Sequence, residues 1–108
     1  MPRPTAQVEP YVKALGPDLA VTFLLHYGGA PLYVRVRHTD DAEYAQIIGT
    51  EGARALAALA DKMQRRVPLA KAWLVAMLDW QGVGIHQIAR TMRMSDVAVR
   101  RILKDRRP

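Results

Sequence analysis

The sequence predicts a mainly α-helical chain with one or two short β-strands, in which an N-terminal helix–strand dimerisation region precedes a C-terminal helix-turn-helix. Three observations predict this. Apolar residues recur at spacings of three and four along much of the chain, the period of a helix that buries one face. One stretch, Leu32 to Arg37, alternates apolar and polar side chains with the period of two that marks a strand. The segment from Ile85 to Lys104 places small and apolar residues where two short, crossing helices must bury them. On this reading residues 1–67 form the dimerisation region and residues 68–108 the helix-turn-helix domain.

The opening of the chain, with Pro2, Pro4 and Pro10, reads as extended or loose. Pro17-Asp18 then opens a helix, since proline suits a first turn and an acid there meets the positive end of the helix dipole. The helix runs to His26, and Gly28-Gly29 stop it. In the strand that follows, Leu32, Val34 and Val36 face one side while Tyr33, Arg35 and Arg37 face the other. A lone strand leaves backbone donors and acceptors unpaired on both edges. Pairing with a second strand, from the same chain or from another copy, satisfies them, and this is the physical ground for expecting a homodimer.

Asp40-Asp41 can cap a short helix through Ile47-Ile48 that ends at Gly49. Thr50-Glu51 opens an alanine-rich helix to about Met63, with Leu56, Leu59 and Met63 on its apolar face. A weak internal repeat at an offset of 33 residues sets Gly16 to Ala20 over Gly49 to Ala53, and Leu32 to Arg35 over Arg65 to Pro68. On that alignment Arg65-Arg66-Val67 is a second short strand, available to the first within the chain or across a dimer. Pro68 then sits at a first helical position, and Leu69, Trp73, Ala76, Met77 and Trp80 follow at spacings of three or four, with both tryptophans expected in the core. Gly82 and Gly84 end that helix.

The helix-turn-helix template, counted from Ile85, requires a small residue at its fifth position, where the helices touch, and Ala89 stands there. The apolar inward positions are Ile88, Met92, Met94, Val99 and Ile102. The ninth position, which tends to positive φ, is Arg93 rather than glycine. Ser95 suits the N-cap of the second helix, with Asp96 beside the positive end of its dipole. The side chains expected to project outward are Ser95, Asp96, Val97, Arg100 and Arg101. Arginine can bind guanine through O6 and N7, and an aliphatic group can touch a thymine methyl, so Arg100 and Val97 are the expected base readers. Arg101, Lys104, Arg106 and Arg107 are expected on phosphates, with Arg93 and the helix N-terminus at Ser95 as further phosphate contacts.

Charge distribution points the same way. The net charge of +6 is uneven: residues 1–62 hold six basic and seven acidic residues, residues 63–108 ten and three. A basic half suggests a module that binds a polyanion. The chain has no cysteine, which removes disulfides, zinc–thiolate sites and thiol nucleophiles. His26, His38 and His86 stand at no metal-binding spacing, no Ser-His-acid or paired-carboxylate arrangement is visible, and Gly28-Gly29 lack the rest of a phosphate-cradling loop. No catalytic activity, metal or cofactor is therefore expected. No apolar run approaches the roughly 18 residues of a membrane span. No apolar leader follows Met1-Pro2-Arg3-Pro4, so a cytoplasmic protein with no membrane partner is expected.

With these features in place, the chain resembles the Mor transcription activator family of Mu-like phages, in its longer, two-copy form. The resemblance rests on His26-Tyr27-Gly28-Gly29, Leu32-Tyr33-Val34, Gln81-Gly82-Val83 and the run Ser95 to Leu103. It implies that Gly28, Gly29, Leu32, Tyr33, Val34 and Val36 belong to a dimerisation element and that Ser95 to Arg101 form a recognition helix. It further implies activation through contact with host RNA polymerase at a promoter. Arg35 stands where the family pattern has a proline after the Tyr-Val of the strand, whereas Val67-Pro68 shows it in the second copy. The expected function is a sequence-specific transcriptional regulator, an activator that binds double-stranded DNA as a dimer. The alternatives are a helical dimeric adaptor and a DNA-binding accessory protein of a transposition or recombination system.

Overall fold

Six helices account for most of the computed structural model, which describes residues 1–32, 34–63 and 66–106. The chain divides into two units, residues 4–69 and residues 70–108 together with 1–3.

In the first unit α1 spans Glu9–Leu15, α2 Pro17–Tyr27 and α3 Ala45–Ala58. α1 replaces the loose opening expected from the prolines. Pro10 lies in its first turn, where the missing N–H would have had no partner in the helix. Tyr11, buried on α1, stacks on Phe23 of α2 with ring centroids 5.6 Å apart. Phe23 also meets Tyr27 at 5.1 Å and the edge of Tyr44 at 6.1 Å, so one ring joins α1, α2 and the entry to α3. Burial pushes the Tyr11 phenol pKa above its ordinary value. α2 starts at its proline and ends before Gly28, whose N–H donates to the Leu24 carbonyl. Gly49 leaves helical geometry at φ 81°, so α3 is one turn followed by a longer helix, with the break where the glycine predicts it. Asp40 and Asp41 lie in a short 3-10 turn, Thr39–Asp41, and the α3 helix ends at Ala58 rather than near Met63.

The expected strand over Leu32 to Arg37 is not formed among the described residues. Among the described residues pairing is limited to one antiparallel bridge between Pro31 and Arg66, flanked by Gly29 N–H to the Val67 carbonyl and Val67 N–H to the Ala30 carbonyl. Beyond it the chain turns away: the Arg35 N–H donates to the Tyr44 hydroxyl, and residues 36–38 bend. In the register of that bridge residues 34–37 would face residues 60–63, where Ala60–Lys62 form a 3-10 turn and present no extended edge. Tyr33 and Arg65, part of these expected strands, lie outside the described residues.

In the second unit α4 spans Lys71–Trp80, α5 Ile85–Met92 and α6 Asp96–Arg106. α4 begins three residues after Pro68, behind Ala70 at φ 54°, so Leu69 stands exposed outside the helix instead of on its core face. Six successive residues, Trp73 to Leu78, are buried, which wraps the helix on all sides over that stretch. Trp73 donates its indole N–H to the Pro2 carbonyl, as a buried tryptophan requires. Trp80 departs from the expectation: it shares Trp73's face but ends the helix and is 58% exposed. α4, α5 and α6 pack pairwise around Ile88, Ala89, Val99 and Leu103. No described helix is long and apolar enough to cross a membrane.

Gly28 has a packing role that the first unit makes visible. A Cβ built there would lie 2.6 Å from the Leu24 carbonyl oxygen and 3.3 Å from that of Pro68, both backbone atoms that cannot swing aside. Gly28→Ala is expected to lower unfolding free energy by about 1–3 kcal/mol, the range for forced overpacking. Urea titration followed by circular dichroism checks this, and an unchanged midpoint would show that the turn relaxes without cost.

Candidate nucleic-acid interface

α5 and α6 are joined by Arg93, Met94 and Ser95. Arg93 adopts φ 56° and ψ 45°, the left-handed conformation that lets the chain leave α5 and start α6 within three residues. Its N–H donates to the Arg90 carbonyl and the Met94 N–H to the Ala89 carbonyl, which satisfies part of the open end of α5. Ser95 opens α6: its hydroxyl accepts from the Ala98 N–H at 3.1 Å and its carbonyl from the Val99 N–H at 3.1 Å. This is side-chain capping of a helix start, as the serine predicts.

The helix that follows is divided by burial. Val99 and Leu103 are buried, Ala98 and Ile102 partly so, while Val97, Arg100, Arg101 and Lys104 are exposed. Leu103 is the core residue that the sequence template missed, and Ile102, assigned to the core, is only half-buried. Positions 99 and 103 lie four apart on one face, and position 102 lies at the border of that stripe. Met92 and Met94 are likewise half-buried, while Ile88 and Ala89 are buried as expected. The outer face carries Arg100, Arg101 and Lys104 around Val97, an aliphatic side chain left 63% exposed among charges. Among the described residues none of these three cations has an ion-pair partner.

The remaining residues assigned to this surface differ in their surroundings. Arg93 and Ser95 are exposed in the connection. Asp96 turns to α5, where its carboxylate lies 2.8 Å from Nδ1 of His86. Arg106 donates to the Arg3 carbonyl at 3.2 Å, so its guanidinium is partly engaged within its own unit. Arg107 lies outside the described residues. On α5, Arg90 is exposed and bonded to Gln87, a basic neighbour on the first helix of the pair that the sequence-based expectation does not include.

Of the residues assigned to dimerisation, Gly28 and Gly29 are half-buried in the turn after α2, and Gly29 takes φ 85°. Leu32 and Val34 are half-buried, Val36 is 61% exposed, and Tyr33 lies outside the described residues. Among the described residues no three metal-ligating side chains gather. Among the described residues, the depression lined by Gln7, Pro10, Tyr11, Lys62, Met63 and Pro68 has Lys62 as its charged wall.

An arginine at φ 56° is strained by about 1 kcal/mol relative to glycine. Arg93→Gly is therefore expected to raise stability by about 0.5–1 kcal/mol, visible as a higher thermal midpoint. A lower midpoint would mean that the arginine side chain contributes more than its backbone costs. No family model matches this chain, and no match was found among curated proteins or solved structures.

Proposed function

We propose that the chain is a sequence-specific DNA-binding transcriptional regulator in which α5 and α6 form a helix-turn-helix and α6 is the recognition helix. The observation that carries this reading is the division of α6: Val99 and Leu103 are buried, while Val97, Arg100, Arg101 and Lys104 stand exposed. A helix that fits the major groove must offer both base-reading and phosphate-neutralising groups on one outward face. Arg100 supplies two parallel donors for O6 and N7 of guanine, and Val97 an aliphatic surface for a thymine methyl. Arg101, Lys104 and Arg93 neutralise phosphates on either side, and the free N–H groups at the capped start of α6 add a further anion contact.

The protein acts as a homodimer on this reading. The segment of residues 32–37, whose described residues form no strand and whose Arg35 N–H is taken by the Tyr44 hydroxyl, gains strand pairing from a second copy, with Val36 covered in the process. Two recognition helices then read half-sites about one helical turn, some 34 Å, apart. The resemblance to the Mor family makes activation at a promoter, with RNA polymerase as partner, the expected regulatory outcome.

Selection of bound duplexes from random DNA, followed by titration, tests the reading. Arg100→Ala is expected to cost about 1–3 kcal/mol at one base position and relax preference there. Lys104→Ala is expected to weaken all sequences alike and reduce the slope of log affinity against log salt by about 1. Unchanged binding in both variants rejects α6 as the reader. Sedimentation at micromolar concentration is expected to give a dimer, and a monomer rejects the pairing of the segment of residues 32–37.

A further inference from the structure

We propose that Asp96, oriented by His86, is a base-reading acceptor that selects cytosine by accepting a hydrogen bond from its exocyclic amine. The proposal rests on the reading of α6 as the groove-facing helix and names a specificity determinant within it. Asp96 is the first residue of α6, and residues at the leading end of a recognition helix reach base edges. A carboxylate there faces two neighbouring phosphate chains and is repelled by both unless it meets a donor. The major groove offers donors only from the amines of cytosine and adenine. Adenine places its N7 acceptor beside the amine, which a carboxylate cannot satisfy, so cytosine is the better match.

The geometry shows that this carboxylate is held rather than free. Asp96 stands four residues before Arg100, a spacing at which an acid commonly pairs along the helix. Instead its Oδ2 lies 2.8 Å from Nδ1 of His86, on the first turn of α5. An imidazole with a proton on Nδ1 donates across that distance whether or not the ring is charged. Two helices that pack against each other thereby fix one carboxylate oxygen, and the Asp96 side chain stays 38% exposed. Oδ1 has no other partner among the described residues, and Arg100 keeps its guanidinium for a separate base. His86 is in this account a positioning residue: it touches no base and aims the side chain that does.

The test compares base preference in duplexes selected by the full chain and by Asp96→Asn, Asp96→Ala, His86→Ala and His86→Asn. The intact protein is expected to select cytosine at one base pair of each half-site. Asp96→Ala is expected to reduce discrimination there by about tenfold, the effect of one mismatched contact. Asp96→Asn is expected to move the preference at that base pair to adenine, whose N6 and N7 an amide satisfies together. His86→Ala is expected to blunt the cytosine preference, and His86→Asn, which keeps a donor near the Nδ1 position, to restore part of it. Thermal midpoints serve as the control, since a purely structural pair would lower the midpoint without altering preference at a single base pair. If the Asp96 variants bind every sequence more tightly with unchanged preference, the carboxylate only repels phosphate and the proposal is overturned. If Arg100→Ala relaxes its own position while no Asp96 or His86 variant alters any, this proposal fails and the reading of α6 stands. A wild-type chain with no sequence preference overturns both.

Discussion

An isolated helix of eleven residues is marginal in water, because the cost of its first turn is spread over too few hydrogen bonds. α6 has that length, and its outer face is made of like charges that repel one another. It holds its shape because Val99 and Leu103 are buried where α6 packs on α4 and α5, and because Ser95 caps its first turn. Burial of a valine and a leucine contributes about 1.5–3 kcal/mol each, and a serine cap about 1 kcal/mol. That is sufficient to fix an arginine-rich surface whose own tendency is to fray. The charged face is therefore held in place by the apolar one, and such preorganisation is what the proposed base recognition would require.

The α5–α6 connection shows the same economy. Three residues join the two helices, and among them Arg93 takes the left-handed conformation and accepts its strain. The carbonyls of Ala89 and Arg90 receive the N–H groups of Met94 and Arg93, so the turn leaves few open groups. His86 and Asp96 then link the first turns of the two helices, at the end where both helix dipoles are positive and a carboxylate is welcome.

The first unit is organised around Phe23, whose ring meets Tyr11, Tyr27 and Tyr44. Each of these tyrosines belongs to a different part of the chain, so the cluster converts three local segments into one core. Tyr44 has a second task, since its hydroxyl accepts the Arg35 N–H and thereby gives the segment of residues 32–37 a partner in place of a ladder. Gly28 allows the turn after α2 to lie close to the Pro68 carbonyl, where a side chain would collide with backbone.

By itself the sequence determined the elements whose signals are local. The prolines and glycines around Pro17 to Gly28, the break at Gly49, the serine before α6 and the positive φ at position 93 all follow from the conformations those residues or positions favour. Periodicity also placed Ile88, Ala89 and Val99 in the core. Tertiary structure alone decided the rest. α1 forms with Pro10 in its first turn and is held by Tyr11, buried against Phe23, while Trp80, the last residue of α4, stays exposed. Leu103 rather than Ile102 takes the deeper position, since the packing of α6 on α4 and α5 decides which edge of the apolar stripe is covered. The alternation of residues 32–37 predicts a strand that is not formed among the described residues, since ladder hydrogen bonds need an extended second edge and Ala60–Lys62 form a 3-10 turn instead. Local preferences are properties of a few consecutive residues, whereas burial and strand pairing depend on which distant segment arrives to supply the other side.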